Sequence, residues 1–280
     1  MIKTRGISPL VIPNPASVEL QETYTLITGA SKGLGKEMAR EYARRGRNLI
    51  LVALPGDGVK EFSAELERLY GIRVVFYECD LADEPALETM ARWVIDHFSV
   101  DQLVNNAGIG GATKFEDAAC AGLDRIIHIN IRATTMLTSR LLPLLKRHSK
   151  ALILNVASLA AFGPLPYKTI YPASKAFIYS FSRALCRELR GTGVRVVVLA
   201  PGPFISNPDV AGRIMKHGRL AKLGVLTAKQ ISRQAVSGAE RGRKVIIPGF
   251  WNKVSRRLMH WAPEYLLLSL MSKAIEKELP

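Results

Sequence analysis

Cysteine is scarce in this chain. Its 280 residues include three, Cys79, Cys120 and Cys186, widely separated and with no Cys-x-x-Cys pair. That argues against a disulfide framework or a thiolate metal site, and a reducing, cytoplasmic setting is expected. His97, His128, His148, His217 and His260 show no metal-ligand spacing, so no metal is expected. No apolar run reaches the roughly eighteen residues that a spanning helix needs. Pro9, Pro13 and Pro15 break up any continuous signal-peptide core, and residues 1–21 are expected to form an extended arm. Interdomain linkers and repeats of solenoid period are missing too. Acids are outnumbered, 24 against 39 Lys and Arg, for a net charge of +15, most of it after Ile205. Such a balance suits nucleic acid, anionic lipid, an acidic substrate or simply a solvated face. No nucleic-acid recognition motif accompanies it, so nucleic acid is not an expected partner.

What is present is an alternation of strand-like and helical runs. Tyr24–Thr28, Asn48–Ala53, Arg73–Tyr77, Gln102–Val104, Ala151–Val156, Val194–Leu199 and Lys244–Ile247 read as strands. Most are apolar at nearly every position, which suits a parallel sheet covered on both faces. Between them Gly35–Arg45, Val59–Tyr70, Glu84–Phe98, Leu123–Arg147 and Tyr171–Arg190 carry helical periodicity. Gly46, Gly71 and Gly191 follow three of these helices, where a left-handed cap is wanted. Thr227-Ala228-Lys229-Gln230 reads as a capping box. The expected architecture is a single α/β domain over residues 22–248. It has a doubly wound parallel sheet of about seven strands and helices on both faces. Residues 249–280 form a basic and apolar helical tail packed on the same domain.

Gly29, Gly33 and Gly35 follow the first strand and open the first helix, in the pattern TGxxxGxG. Glycine there lets the backbone approach a pyrophosphate, and the helix N-terminus offers free N–H groups and a partial positive charge. Cys79-Asp80-Leu81 ends the third strand and Asn105-Asn106-Ala107-Gly108 the fourth, where an α/β sheet binds its ligands. Downstream, Tyr171 and Lys175 stand four apart on one helical face. There an ammonium can stabilise a phenolate, whose ordinary pKa of about 10 is too high for proton transfer near neutrality. Ser158, ending the fifth strand, can donate to a developing alkoxide or carbonyl oxygen. Tyr167 has no lysine four positions on, so Tyr171 is the expected acid–base residue.

The set TGASKGLG, CDL, NNAG, Asn130 in HINIRA, Ser158, Tyr171 with Lys175, and Pro201-Gly202-Pro203 leading to Ser206 resembles the short-chain dehydrogenase/reductase family in its compact single-domain branch. The resemblance runs from about residue 22 to 206 and implies a Rossmann-type fold. It implies the catalytic set Asn130, Ser158, Tyr171 and Lys175, with Asn130 holding a water that links Lys175 to solvent. It implies a dinucleotide on Gly29, Ser31, Lys32, Gly33, Leu34 and Gly35 at the phosphates, and on Asp80 and Leu81 at the adenine. Asn106, Ala107 and Gly108 line the cofactor, Tyr171 and Lys175 meet the nicotinamide ribose, and Pro201, Gly202 and Ser206 meet the nicotinamide. Serine stands at 206 where the family usually has threonine. A homodimer or homotetramer through the long fourth and fifth helices is implied as well.

NADP is expected ahead of NAD. The second strand is followed by Ala53-Leu54-Pro55-Gly56, with no acid to bind a ribose hydroxyl until Asp57. Lys32 can meet a 2′-phosphate as a point charge, although Leu54 and Pro55 stand where the family often adds an arginine. Ile109, Leu159, Phe162, Pro164, Leu165, Tyr167 and Phe204 suggest an apolar cleft for a hydrophobic alcohol, ketone or aldehyde, acyl or steroid-like, or equally side chains that pack the loops. The tail brings Phe250, Trp251, Trp261 and Tyr265 together with Lys253, Arg256 and Arg257. It reads as an interfacial helix giving peripheral membrane contact, as a helix closing the cleft, or as a subunit contact. A non-catalytic, dinucleotide-binding redox regulator is the alternative function, and it would have no need of the intact Ser158, Tyr171, Lys175 and Asn130.

Overall fold

Strands that are apolar on both faces must be covered on both. The computed structural model, which describes residues 22–205 and 224–276, puts them at the centre of the molecule. The expected N-terminal arm and Ser206 lie outside the described residues. The strands are β1 (Thr23–Thr28), β2 (Asn48–Ala53), β3 (Val74–Glu78), β4 (Ser99–Asn105), β5 (Ala151–Val156), β6 (Val194–Leu199), β7 (Phe204–Ile205), β8 (Leu226–Thr227) and β9 (Val245–Ile246). Seven of them form one sheet in the order β3-β2-β1-β4-β5-β6-β9, while β7 and β8 pair with each other. Every pairing is parallel. The order reverses between β1 and β4, and that switch point opens a crevice at the carboxyl ends of the strands.

The helices are α1 (Gly33–Ala43), α2 (Val59–Tyr70), α3 (Glu84–His97), α4 (Cys120–Ile127), α5 (Thr134–Leu145), α6 (Ile170–Glu188), α7 (Ala228–Glu240), α8 (Phe250–Trp261) and α9 (Glu264–Ile275). Met38, Phe62 and Ile231 carry α1, α2 and α7 onto one face of the sheet with Leu49 and Leu154. Leu87, Met90, Leu137 and Leu141 carry α3 and α5 onto the other with Leu26 and Leu103. Burying each such side chain contributes about 1.5–3 kcal/mol. Gly46, Gly71 and Gly191 do adopt left-handed backbone after their helices, and Thr227 and Gln230 form the capping box.

The stretch expected as one helix over Leu123–Arg147 is interrupted. A π-helical turn, His128–Ala133, separates α4 from α5. Periodicity over so short a stretch does not distinguish the two turn types, and the π turn holds Asn130 buried. Among the described residues no helix is long and apolar enough to cross a membrane.

Candidate active site

The phosphate end is built on Thr28. Its hydroxyl accepts from the backbone N–H groups of Asn106 and Ala107, at 3.0 Å each. Asn106 Nδ2 donates back to the carbonyls of Thr28 at 2.9 Å and Gly29 at 3.1 Å. These bonds sew the end of β4 to the glycine turn. A Cβ on Gly29 (φ +64°) would stand 2.9 Å from Ala107 Cα, and one on Gly35 would stand 2.1 Å from the Gly29 carbonyl oxygen. Neither site has room for a side chain. α1 begins with no side-chain cap from Lys32 and no acid in its first turn. A helix start with neither side-chain cap nor acid, behind a glycine cradle, fits a pyrophosphate.

Lys32 is not isolated. Its Nζ lies 2.7 Å from Asp57 Oδ1, and Ser31 Oγ donates to the other oxygen of Asp57 at 3.3 Å. The loop after β2 thus brings Asp57, the first acid after that strand, to the glycine turn. Asp80 is likewise engaged, through Arg125 at 2.9 Å and the backbone N–H of Ala82 at 3.0 Å, while Leu81 is buried beside Leu87 in the sheet-side core. Leu34 is buried under α1. The Pro201 carbonyl accepts from the Leu159 N–H at 2.7 Å, and Gly202 lies against the buried Asn252 side chain.

At the chemical end β5 delivers Ser158 and the first turns of α6 deliver Tyr171 and Lys175. Lys175 is 5% exposed, with Nζ donating to the Val156 carbonyl at 3.0 Å and 5.9 Å from the Tyr171 ring centroid. Burial pulls Lys175 down from its ordinary value to about 8. Burial also raises the Tyr171 phenol, and a hydrogen bond with Ser158 works against that rise. Ser158 is thus the neighbour that lowers the phenol here, while Lys175 Nζ bonds the strand-end carbonyl of Val156.

Asn130 is fully occupied by backbone and Ser174. Its Oδ1 accepts from the Ile109 N–H at 2.9 Å, and its Nδ2 donates to the Ile109 carbonyl and to Ser174 Oγ, both at 2.9 Å. Ser174 Oγ in turn donates to the Tyr171 carbonyl at 2.7 Å. This side chain clamps the β4 loop to α6. The loop it holds passes close to both reactive groups. A Cβ on Gly108 would meet Lys175 Nζ at 3.0 Å, and one on Gly110 would meet the Tyr171 ring at 2.7 Å.

The family model for short chain dehydrogenase matches residues 23–213. The chain belongs to the short-chain dehydrogenase family. As a short-chain dehydrogenase it is an oxidoreductase of CH–OH groups that uses a nicotinamide dinucleotide. An uncharacterised oxidoreductase of Staphylococcus epidermidis is 31% identical over 195 residues, covering 69% of this chain and 83% of that protein. The 17-beta-hydroxysteroid dehydrogenase type 3 of Mus musculus is 33% identical over 180 residues, 64% of this chain and 59% of that one. A solved short-chain dehydrogenase from Sphingobium yanoikuyae in complex with NADPH superposes with a TM-score of 0.73 at 27% identity, covering 86% of this chain and 97% of that one.

Sequence reasoning about this short-chain dehydrogenase missed Thr28, Asp57, Gly110 and Ser174 as site residues. Thr28 opens the glycine motif and Ser174 lies inside YPASK, so both were within signals already read. Asp57 and Gly110 gave none, since each matters through a neighbour remote in sequence. Of the residues expected at the cleft mouth, Phe204 packs against the core, and Phe162 meets Tyr179 edge-on with ring centroids 4.9 Å apart.

Proposed function

We propose that the protein is an NADP(H)-dependent reductase or dehydrogenase interconverting a hydrophobic alcohol and its ketone or aldehyde, acyl or steroid-like in character. The grouping of Ser158, Tyr171 and the buried Lys175 at the carboxyl end of β5 carries this reading. A bound nicotinamide dinucleotide supplies the hydride in reduction and takes it up in oxidation. In reduction Tyr171 gives its phenolic proton to the carbonyl oxygen while Ser158 donates a hydrogen bond to that oxygen. The Lys175 ammonium then stabilises the phenolate left behind, and oxidation reverses each proton movement. Asn130 and Ser174 keep the first turn of α6 in register with the β4 loop. Residues 22–248 serve as the catalytic domain.

NADP preference rests on Lys32, which is 72% exposed at its side chain and free to exchange Asp57 for a 2′-phosphate. The relative acting on a hydroxysteroid supports a bulky apolar substrate. A homodimer or homotetramer through α5 and α6 is supported by Phe177 and Phe181, stacked 6.1 Å apart on the outer side of α6, with Phe177 exposed.

The test is NADPH oxidation over aldehydes, ketones and acyl ketones, repeated with NADH and with Tyr171→Phe. Turnover by the wild type that falls at least about a thousandfold in Tyr171→Phe, with NADPH binding kept, is expected from loss of the proton donor together with its hydrogen bonding. Near-normal turnover in the variant overturns the assignment. NADPH binding without turnover on any carbonyl would favour the redox-sensing alternative instead.

A further inference from the structure

A surface helix ordinarily turns its apolar stripe toward the core. α8 does the reverse. At about 100° per residue, Phe250, Trp251, Val254, Leu258 and Trp261 share one stripe, and that stripe faces away from the protein. Trp261 is 82% exposed, Phe250 70% and Leu258 65%. The opposite side of the helix makes the attachment. Asn252 is buried and donates to the carbonyls of Pro248 at 2.8 Å and Gly224 at 3.0 Å. Met259 Cε would stand 3.1 Å from a Cβ on Gly163, and Arg256 lies 4.8 Å over the Phe162 ring. α9 continues the apolar surface with Tyr265, Leu266 and Leu270, all exposed.

We infer that α8 and α9 form a docking surface for an anionic lipid bilayer. Charge selects this occupant. Lys253, Arg257 and His260 are exposed on α8 beside the stripe, and α8 carries no acid at all. Two copies meeting stripe to stripe would bring these basic rims together with nothing on α8 to neutralise them. A bilayer bearing phosphatidylserine offers an apolar interior for the aromatics and headgroup charge for the bases. Trp and Tyr are also the side chains that settle at the membrane–water boundary. The surface lies beside the Leu159–Phe162 turn that follows Ser158, so a docked molecule holds the lip of its cleft at the lipid. That last consequence rests on the proposed apolar substrate, whereas the docking does not.

The experiment uses the full chain with neither dinucleotide nor substrate, so failure of the proposed chemistry cannot be mistaken for failure of docking. Co-sedimentation is measured with vesicles of phosphatidylcholine alone and of phosphatidylcholine with phosphatidylserine, while tryptophan emission is recorded. Binding to the anionic vesicles, weakened by salt and accompanied by a blue shift, is expected. Lys253→Gln and Arg257→Gln should each weaken it about fivefold, and Leu258→Glu with Trp261→Glu should weaken it at least tenfold, with NADPH affinity unchanged as the check on folding. Both changes in the double variant fall on exposed side chains. The inference is overturned if the wild type binds neither vesicle, or if the double variant binds as well as the wild type. It is also overturned if the double variant turns a wild-type dimer into a monomer, which would make the stripe a subunit interface.

Discussion

At the scale of single residues the site is defined by what leaves no room. Gly110 offers bare backbone to the Tyr171 ring, and a methyl group there would come within 2.7 Å of a ring carbon. Gly110→Ala should therefore displace the phenol from Ser158 and lower kcat at least about tenfold, since small misplacements of reacting groups cost that much or more. NADPH affinity, from fluorescence titration, should change little. Lys175 gives a pH dependence with a definite sign. Burial holds its pKa at about 8, so the ammonium is present below that value and is lost as pH rises through it. In the reductive direction kcat/KM should fall above about pH 8, and Lys175→Met should be slow throughout and lack that limb. Asp57→Asn should release Lys32 from its partner, which stands 2.7 Å away. The ratio of NADH to NADPH dissociation constants should rise by up to about fivefold, in line with the worth of one exposed charge pair.

At the scale of elements, the carboxyl end of the sheet is held in register by a line of buried amides. Asn105 on β4 donates to Asn155 on β5 at 2.8 Å and to Thr138 on α5 at 2.9 Å, and Asn155 donates to Ser182 on α6 at 2.9 Å. Asn105 and Asn155 are direct partners in the ladder. The line joins the two strands that lead to the NNAG turn and Ser158 to α5 and to α6, which carries Tyr171 and Lys175. Asn155→Leu should strand polar partners in the core and cost about 1–3 kcal/mol, read from chemical denaturation, with a loss of kcat because the strand ends shift. The capping box of α7 is more local. Thr227→Ala should lower stability by about 1 kcal/mol and leave turnover unaffected.

For the molecule as a whole, the glycine cradle, the strand ends and α6 converge only because β1 and β4 are neighbours at the point where the strand order reverses. Dinucleotide held by these residues would tie the two halves of the sheet together and should stabilise the fold as a unit. With NADPH at about a hundred times its dissociation constant, stabilisation of about 2.7 kcal/mol is expected, seen as a raised Tm. NADH at the same concentration should raise it less. Equal shifts would remove the case for NADP preference.

The chain's own order of residues was enough to specify the seven strands of the main sheet, most of the helices and the pairing of Tyr171 with Lys175 on α6, but not the two-residue strands β7 and β8. Continuous apolar runs have few ways to be buried, and Tyr171 and Lys175 share a helix, so their spacing places them on one face. The glycines at 29, 33 and 35 spoke just as clearly, since a turn between strand and helix is a local matter. Asp57 meeting Lys32, Asn130 clamping Ile109, Gly110 backing the Tyr171 ring and the outward stripe of α8 were decided by tertiary structure alone. Each depends on segments brought together by the crossovers or, for α8, on which side of a helix becomes attached. Local periodicity records that a helix has an apolar side, and only the packing of the rest determines which way that side faces.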